Sequence, residues 1–282
     1  MRKIGIAHLS LLQLEPDELV RVAATAGFDF VGVRVRGATP AETITAQTPG
    51  SRASRATLAA LRDTGVTVTD IEFLSLDGAT GREAWLPMLE AGAELGASIV
   101  NLTGQDPEPQ RLQQSLGELV VDAQGFGITP ALEPISYNAI STASQAATIA
   151  SAAGAYVMLD PLHLQRGGTS IADVAALDAS LVPALQLCDG PLGTPETLQI
   201  SAPLPRGMTA DGEPRKLESR ALRLAPGDGE FPLAELLRAV PAGVPVSVEV
   251  PNAALVEQLG VTGYARYLYA AATRVLAEAG AE

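Results

Sequence analysis

Carboxylates close several short apolar segments of this chain, and their placement suggests one shared site. Glu133 ends the apolar run in "ALEPISYN" and is followed directly by proline, while Asp160 and Glu249 end two later runs. Burying an unpaired carboxylate is costly, so each of these side chains needs a cation, hydrogen-bond donors or solvent nearby. The elements that carry them decide whether they meet.

Short segments rich in strand-forming residues recur along the whole chain, each closed by polar or turn residues. Their starts lie mostly about 25–40 residues apart, which is the length of one βα unit. There are eight such predicted strands: Lys3–His8, Asp29–Val35, Val66–Glu72, Ser98–Thr103, Ile128–Glu133, Tyr156–Asp160, Pro183–Cys188 and Pro245–Val250.

Helical patterns fill the intervals between the predicted strands. In "EPDELVRVAATAGF", Pro16 suits a first helical turn, an apolar stripe follows, and Gly27 suits the C-terminal cap. Eight alternating units predict a single-domain (β/α)₈ TIM barrel over residues 1–282. A doubly wound open sheet is the main rival, but no Gly-rich dinucleotide fingerprint follows the first strand.

One connection breaks this rhythm. Residues 190–229, after the seventh strand, are rich in proline and glycine and show little periodicity, except for a predicted helical turn in "KLESRALRLAPGDGEF". Connections of this length are usually functional or disordered. In a barrel this one would lie over the C-terminal ends of the strands, where active sites are found.

Alternation along the last four strands predicts which side chains point into the barrel. The bulky leucine and valine positions should face the helices, so that the intervening polar positions face inward. Four oxygen-bearing side chains then converge near one mouth: Glu133, Asp160, Gln186 and Glu249. Such a set suits a hard divalent ion, Mg²⁺ or Mn²⁺, with Co²⁺ or Zn²⁺ as alternatives. The alternative is a set of separate strand-end carboxylates, each solvated or paired with arginine.

Three further polar side chains are placed at the same mouth. His8 ends the first strand and is either a substrate contact or a hydrogen-bonded structural histidine. Arg34 could bind a carboxylate or phosphate, or form a salt bridge with Glu72 or another acid. Glu72 closes the third strand and could bind sugar hydroxyls.

Composition excludes several classes of protein. The net charge is −13 and no basic patch is dense enough for a nucleic-acid surface. Cys188 is the single cysteine, which rules out an intrachain disulfide framework. No apolar run is long enough to cross a bilayer, and the N-terminus lacks a signal peptide. We therefore expect a cytoplasmic protein with no membrane or nucleic-acid partner.

The chain resembles the xylose isomerase-like TIM barrels, the sugar phosphate isomerase/epimerase superfamily. Tagatose 3-epimerase, hydroxypyruvate isomerase and inosose dehydratase relatives belong to it. The resemblance rests on "LEP" at 132–134, "LDPLH" at 159–163, "LQLCDG" at 185–190, "RLAPGDGEF" at 223–231 and "SVEV" at 247–250. It implies one divalent metal held by Glu133, Asp160, Gln186 and Glu249. It also implies that His163 and Arg223 contact substrate. Many members have histidine at the position of Gln186.

The same resemblance implies a reaction. A metal would polarise the carbonyl of a small keto-sugar, polyol or keto-acid and stabilise an enediolate. Glu133 and Glu249 would be the catalytic pair that removes and returns the proton, giving an isomerase or epimerase. The alternatives are a dehydratase acting on inosose or dehydroshikimate, and a non-catalytic barrel that binds a sugar-like ligand. Barrels of this group often dimerise, so the resemblance implies a homodimer.

Overall fold

A computed structural model describes residues 2–200 and 203–280 of the chain. Its centre is an eight-stranded parallel sheet with the strand order β6-β5-β4-β3-β2-β1-β8-β7. The strands are β1 (Ile4–Ile6), β2 (Phe30–Arg34), β3 (Thr67–Leu76), β4 (Ile99–Gly104), β5 (Thr129–Glu133), β6 (Tyr156–Val157), β7 (Leu185–Leu187) and β8 (Val246–Val248).

The sheet curls into a closed barrel. β1 pairs with β2 on one side and with β8 on the other, in parallel register. The two terminal strands of the order, β6 and β7, meet through a parallel bridge between Leu159 and Leu185. The main-chain N–H of Gln186 donates to the carbonyl of Leu159 at 2.8 Å across this seam. The structure confirms the predicted single-domain (β/α)₈ architecture.

Helices surround the barrel and alternate with its strands. They are α1 (Pro16–Ala26), α2 (Arg52–Thr64), α3 (Arg82–Leu95), α4 (Pro109–Gln124), α5 (Ala143–Ala153), α6 (Pro161–Gly167), α7 (Ile171–Ala175), α8 (Pro214–Ala221), α9 (Leu233–Ala239), α10 (Ala253–Leu259) and α11 (Val261–Glu278). None of the helices within the described ranges is both long and apolar enough to span a membrane.

α1 shows how local sequence sets the helix boundaries. Pro16 occupies the first helical position, and Glu15 and Glu18 form a reciprocal capping box with the main chain. Gly27 ends the helix at φ 105°, a conformation that a residue with a Cβ rarely adopts. The boundaries predicted for this helix are confirmed.

The predicted alternation of strand side chains is also confirmed. The main core between strands and helices contains Leu132, Leu185, Val246 and other bulky residues. A separate small cluster, formed by Ile99, Ala131, Met158 and Ala184, fills the interior of the barrel. Odd and even positions of the same strands therefore face opposite sides, as the two-residue period of a strand requires.

The connection after β7 is folded back onto the barrel. Within residues 190–229 it contains a 3₁₀ turn (Pro205–Gly207) and α8, which begins two residues before the segment where a helical turn was predicted. Asp189 fixes both ends of this connection, because its carboxylate accepts main-chain N–H bonds from Gly190, Gly227 and Phe231 at 2.8–2.9 Å. α8 is thereby brought over the mouth of the barrel.

Candidate active site

A cavity of about 240 Å³ opens at the C-terminal ends of the strands. Five carboxyl side chains line it. Three of them belong to strands or directly follow one: Glu72 within β3, Glu133 at the end of β5 and Glu249 directly after β8. We call these three residues the carboxylate floor. All three are at least 96% buried, so their charges are held away from bulk water.

Burial has a large effect on these carboxylates. Removal from water raises the pKa of Glu72 to about 7 and that of Glu249 to about 8, although Arg34 and Arg223 respectively oppose the change. Burial and then the nearby charge of Glu249 raise the pKa of Glu133 well above its ordinary value. At neutral pH these carboxyls are therefore protonated to a large extent, and a cation placed beside them would favour their ionisation.

Asp160 lies beside the floor, and its position follows from the sequence "DP". It is the N-cap residue of α6, with Pro161 at the first helical position, and its carboxylate accepts the N–H of Leu162 at 2.8 Å. Burial opposes its ionisation, but Arg223 beside it lowers its pKa overall. Asp160 is thus an ionised carboxylate in a fully buried position.

Arg223 joins Asp160 to the floor. Its Nη1 is paired with Asp160 Oδ2, and its Nη2 lies 2.9 Å from Glu249 Oε2. Burial disfavours the charged guanidinium, but Asp160 and Glu249 together raise the pKa of Arg223, so it remains a cation. The second oxygen of Glu249 accepts the side-chain amide of Gln186 at 2.9 Å.

His163 completes the centre of the site. Its Nε2 lies 4.0 Å from Glu133 Oε1 and 3.4 Å from Ser219 Oγ, and its Nδ1 lies 3.3 Å from Ser136 Oγ. Burial lowers the pKa of His163 to about 4, so the imidazole is neutral near pH 7. A neutral imidazole can offer a lone pair to a metal or accept a hydrogen bond.

The residues present fit a divalent ion. One donor atom each from Glu133, Asp160 and His163 lies within 4.8 Å of the others. Gln186 Oε1 and Glu72 Oε1 are buried oxygen atoms without a hydrogen-bond partner among the described residues. Such atoms are expected where a cation or ordered water completes the site. The unpartnered oxygen atoms and the donor set together favour a cation there.

Most of the predicted site residues meet at this cavity. Its lining includes the following six: Arg34, Glu72, Glu133, His163, Arg223 and Glu249. Asp160 and Gln186 are tied to it through Arg223 and Glu249. Arg34 forms a buried ion pair of 2.7 Å with Glu42, which is the acid that its salt-bridge alternative required.

His8 is placed differently. Its Nδ1 accepts the main-chain N–H of Arg34 at 3.1 Å, and its Nε2 lies 3.1 Å from the carbonyl of Leu14. Both ring nitrogens are therefore engaged by the main chain, and burial lowers the pKa of His8 to about 4. This geometry is that of a structural histidine, the alternative weighed for it above.

Several residues that contact the site are not among the site residues predicted from sequence. Asn101 donates to Glu133 Oε2 at 3.0 Å, and Tyr137 packs edge-on against the ring of His163. α8 adds Lys216 and Arg220 to the lining. For α8 a signal was present, because Lys216, Arg220 and Arg223 follow a spacing of four and three residues.

Comparison with known proteins identifies the family. The model of the xylose isomerase-like TIM barrels matches residues 20–272. The chain belongs to this family. No curated protein sequence matches it.

Solved structures with the same fold have little sequence identity to this chain. The IolI protein with a bound zinc atom has 16% identity and a TM-score of 0.69, over 98% of both chains. D-allulose 3-epimerase from Methylomonas sp., solved with D-allulose, has 14% identity and a TM-score of 0.65, over 98% of this chain and 97% of that one. A xylose isomerase-like TIM barrel/4-hydroxyphenylpyruvate dioxygenase fusion protein has 19% identity and a TM-score of 0.67 over 89% of this chain, which spans only 39% of the fusion protein.

Proposed function

We propose that this protein is a divalent-metal-dependent isomerase or epimerase that acts on a small keto-sugar or keto-acid. The observation that carries the proposal is the pair Glu133 and Glu249, two buried carboxylates with raised pKa that line one cavity. Strongly shifted carboxylates in a cavity are typical of proton-transfer sites. The family and the two sugar- or metal-binding neighbours support the same class of reaction.

The proposed metal site uses Glu133 and Asp160, with Gln186 and Glu249 as the further ligands predicted from sequence. His163 is an additional nitrogen donor within reach of Glu133 and Asp160. When bound, the ion would supply Lewis-acid polarisation of the substrate carbonyl. Oxygen donors favour Mg²⁺ or Mn²⁺, whereas the histidine and the zinc of the IolI structure favour Zn²⁺.

The protein's own residues have separate tasks in this proposal. One of Glu133 and Glu249 removes the proton next to the carbonyl, and the other, protonated at the start, returns a proton. They lie at the ends of β5 and β8, so they approach a substrate from different sides of the cavity. Asn101 orients Glu133, and Gln186 with Arg223 orients Glu249. His163 exchanges a hydrogen bond with a substrate hydroxyl, and Arg223 donates to a substrate oxygen.

One observation favours a non-catalytic barrel instead. Arg223 already occupies one oxygen of Asp160 and one of Glu249, so a guanidinium supplies part of the positive charge that a metal would bring. A barrel neutralised in this way could bind a sugar-like ligand without any chemistry. No comparable observation favours the dehydratase alternative, which differs from the isomerase only in loss of water from the substrate.

Metal binding and proton exchange together test the proposal. Calorimetric titration of metal-stripped protein with Mn²⁺, Mg²⁺ or Zn²⁺ should show one metal site per chain. The metal affinity of that site should fall at least tenfold in Asp160→Asn. The exposed variant Asp63→Asn is the matched control. With the metal supplied, ketoses incubated in D₂O should gain deuterium next to the carbonyl. Metal binding without exchange in any ketose or keto-acid would favour the ligand-binding barrel, and loss of water would identify a dehydratase.

A further inference from the structure

α8 lines the cavity with one chemically distinctive face. Lys216, Arg220 and Arg223 are separated by four and three residues, so they follow one side of the helix and its C-terminal extension. All three line the cavity, as does Arg215. Lys3 and Lys216 are the only lysines of this acidic chain. We call Arg215, Lys216 and Arg220 the cationic wall.

The opposite side of α8 anchors it to the barrel. Glu218 forms a two-pronged ion pair with Arg166 of α6, at 2.8 and 2.7 Å, and both side chains are at least 97% buried. Ser219 contacts His163 Nε2 at 3.4 Å and accepts from Arg223 Nη2 at 3.2 Å. The cationic wall is therefore held in a defined position relative to the catalytic carboxylates.

The charges of the wall are incompletely neutralised. Arg215 lies 3.1 Å from Glu213, and Lys216 lies 3.1 Å from Asp211, but both acids are substantially exposed to solvent. Exposed ion pairs are weak and exchange readily. Arg220 donates to the main-chain carbonyl of Thr209 and has no carboxylate within 4 Å in residues 2–200 and 203–280. Three cations thus face the cavity against two solvated acids.

We propose that the cationic wall binds an anionic group, a phosphate or a carboxylate, at the end of the substrate remote from its carbonyl. This rests on the proposed function, because it requires the carbonyl end to lie at the carboxylate floor. The floor consists of acidic groups and offers an anion no cation of its own, whereas the wall attracts an anion and offers guanidinium and ammonium donors. The cavity of about 240 Å³ is just below the range for drug-sized ligands and suits a substrate the size of a sugar phosphate or sugar acid.

Binding of small polyols tests this without any turnover. The probes are glycerol 3-phosphate, glycerate and glycerol, which differ in charge and lack a carbonyl to react. Their affinities are measured by calorimetry on the full chain, as purified and again with a divalent metal supplied. At least one anionic probe should bind the wild-type protein at least tenfold more tightly than glycerol does. Whichever of glycerol 3-phosphate and glycerate binds more tightly shows whether the wall prefers a phosphate or a carboxylate.

The variants Arg220→Gln and Lys216→Gln should each lower the affinity for the preferred anion at least tenfold. A hydrogen bond to a charged group contributes about 1.5–3 kcal/mol, and about 1.4 kcal/mol corresponds to a factor of ten. Arg238→Gln removes an exposed arginine of α9 and should leave binding unchanged. Both substituted residues are partly exposed, so the variants should keep the wild-type melting temperature. If one variant does not fold, the other still tests the inference. Equal affinity for all three probes, or unchanged anion affinity in both wall variants, would overturn the inference. Failure of the proposed function appears separately, as absent deuterium exchange in every ketose and keto-acid.

Discussion

The carboxylate floor and the cationic wall face the same cavity but differ in charge and in how they are held. The floor residues belong to strands or follow them directly, and the N–H of Glu249 still donates to the carbonyl of Leu187 on β7 at 3.0 Å. The wall belongs to a short helix in a connection and depends on the Arg166–Glu218 ion pair. We therefore expect the floor to move only with the barrel, and the wall to open locally while the barrel stays folded.

This difference suggests a division of labour. Proton transfer requires groups fixed to within a fraction of an ångström, which strand ends in a closed barrel provide. Selection of one substrate end tolerates a separately folded segment, and such segments vary more easily than the strands. Substitutions in the floor should therefore change chemistry, and substitutions around α8 should change substrate preference and local stability.

The largest effect is expected for Glu133→Gln. If Glu133 transfers the proton, the substitution should slow deuterium exchange roughly a thousandfold, within the usual range for a general base. Stability should hold, because the amide oxygen still accepts from Asn101 and burial already disfavours the charge of Glu133. Deuterium incorporation followed by NMR measures the rate. Glu278→Gln, at an exposed position on α11, is the control. A wild-type rate in Glu133→Gln would remove this residue from the mechanism.

Arg223→Met tests how far this one cation neutralises the carboxylates of Asp160 and Glu249. Removing the cation leaves Asp160 and Glu249 buried without their partner, which should lower the free energy of unfolding by about 3–5 kcal/mol in metal-free protein. Urea denaturation measures this, with the exposed Arg274→Met as control. A divalent ion should recover more stability in Arg223→Met than in wild type. Equal metal stabilisation of both proteins would show that the ion and Arg223 do not share the same carboxylates.

Arg166→Met should separate the wall from the floor. The substitution leaves Glu218 buried and unpaired, which should weaken docking of α8 by about 3 kcal/mol. Since α8 can leave the barrel, protease cleavage within residues 203–222 should rise more than global stability falls. Arg166→Met combined with Glu218→Met removes both charges and should restore resistance. Unfolding of the whole chain with no preferential cleavage would show that wall and barrel form one cooperative unit.

The sequence predicted the positions of the floor residues but not the position of the wall over the cavity, and the reason is physical. Strand alternation located Glu133, Asp160 and Glu249, although Asp160 is the N-cap of α6 and not part of a strand. Arg166 and Glu218 meet across 52 residues, and no local pattern encodes such a contact. The pairing of Arg34 with Glu42 likewise depends on how the chain folds back after β2. α8 was recognisable as a helical turn, but its direction relative to the cavity was not.

Asp70→Asn changes stability only at higher pH and tests the protonation of a carboxyl beneath the floor. Asp70 lies inside the barrel, where its carboxylate covers Gly32, and burial raises its pKa to about 7. An unfolded aspartate ionises near pH 4, so the folded state binds more protons between about pH 4 and pH 7. Its contribution to stability is therefore lost as the pH rises through that window. The asparagine side chain does not titrate, so Asp70→Asn should unfold like wild type near pH 4 and be about 4 kcal/mol more stable near pH 8, since each pKa unit corresponds to about 1.4 kcal/mol. Urea denaturation across this range measures the difference, with Asp63→Asn as the exposed control. A pH-independent difference would mean that Asp70 has the same pKa in the folded barrel as in the unfolded chain, and that burial beneath the floor does not hold it protonated.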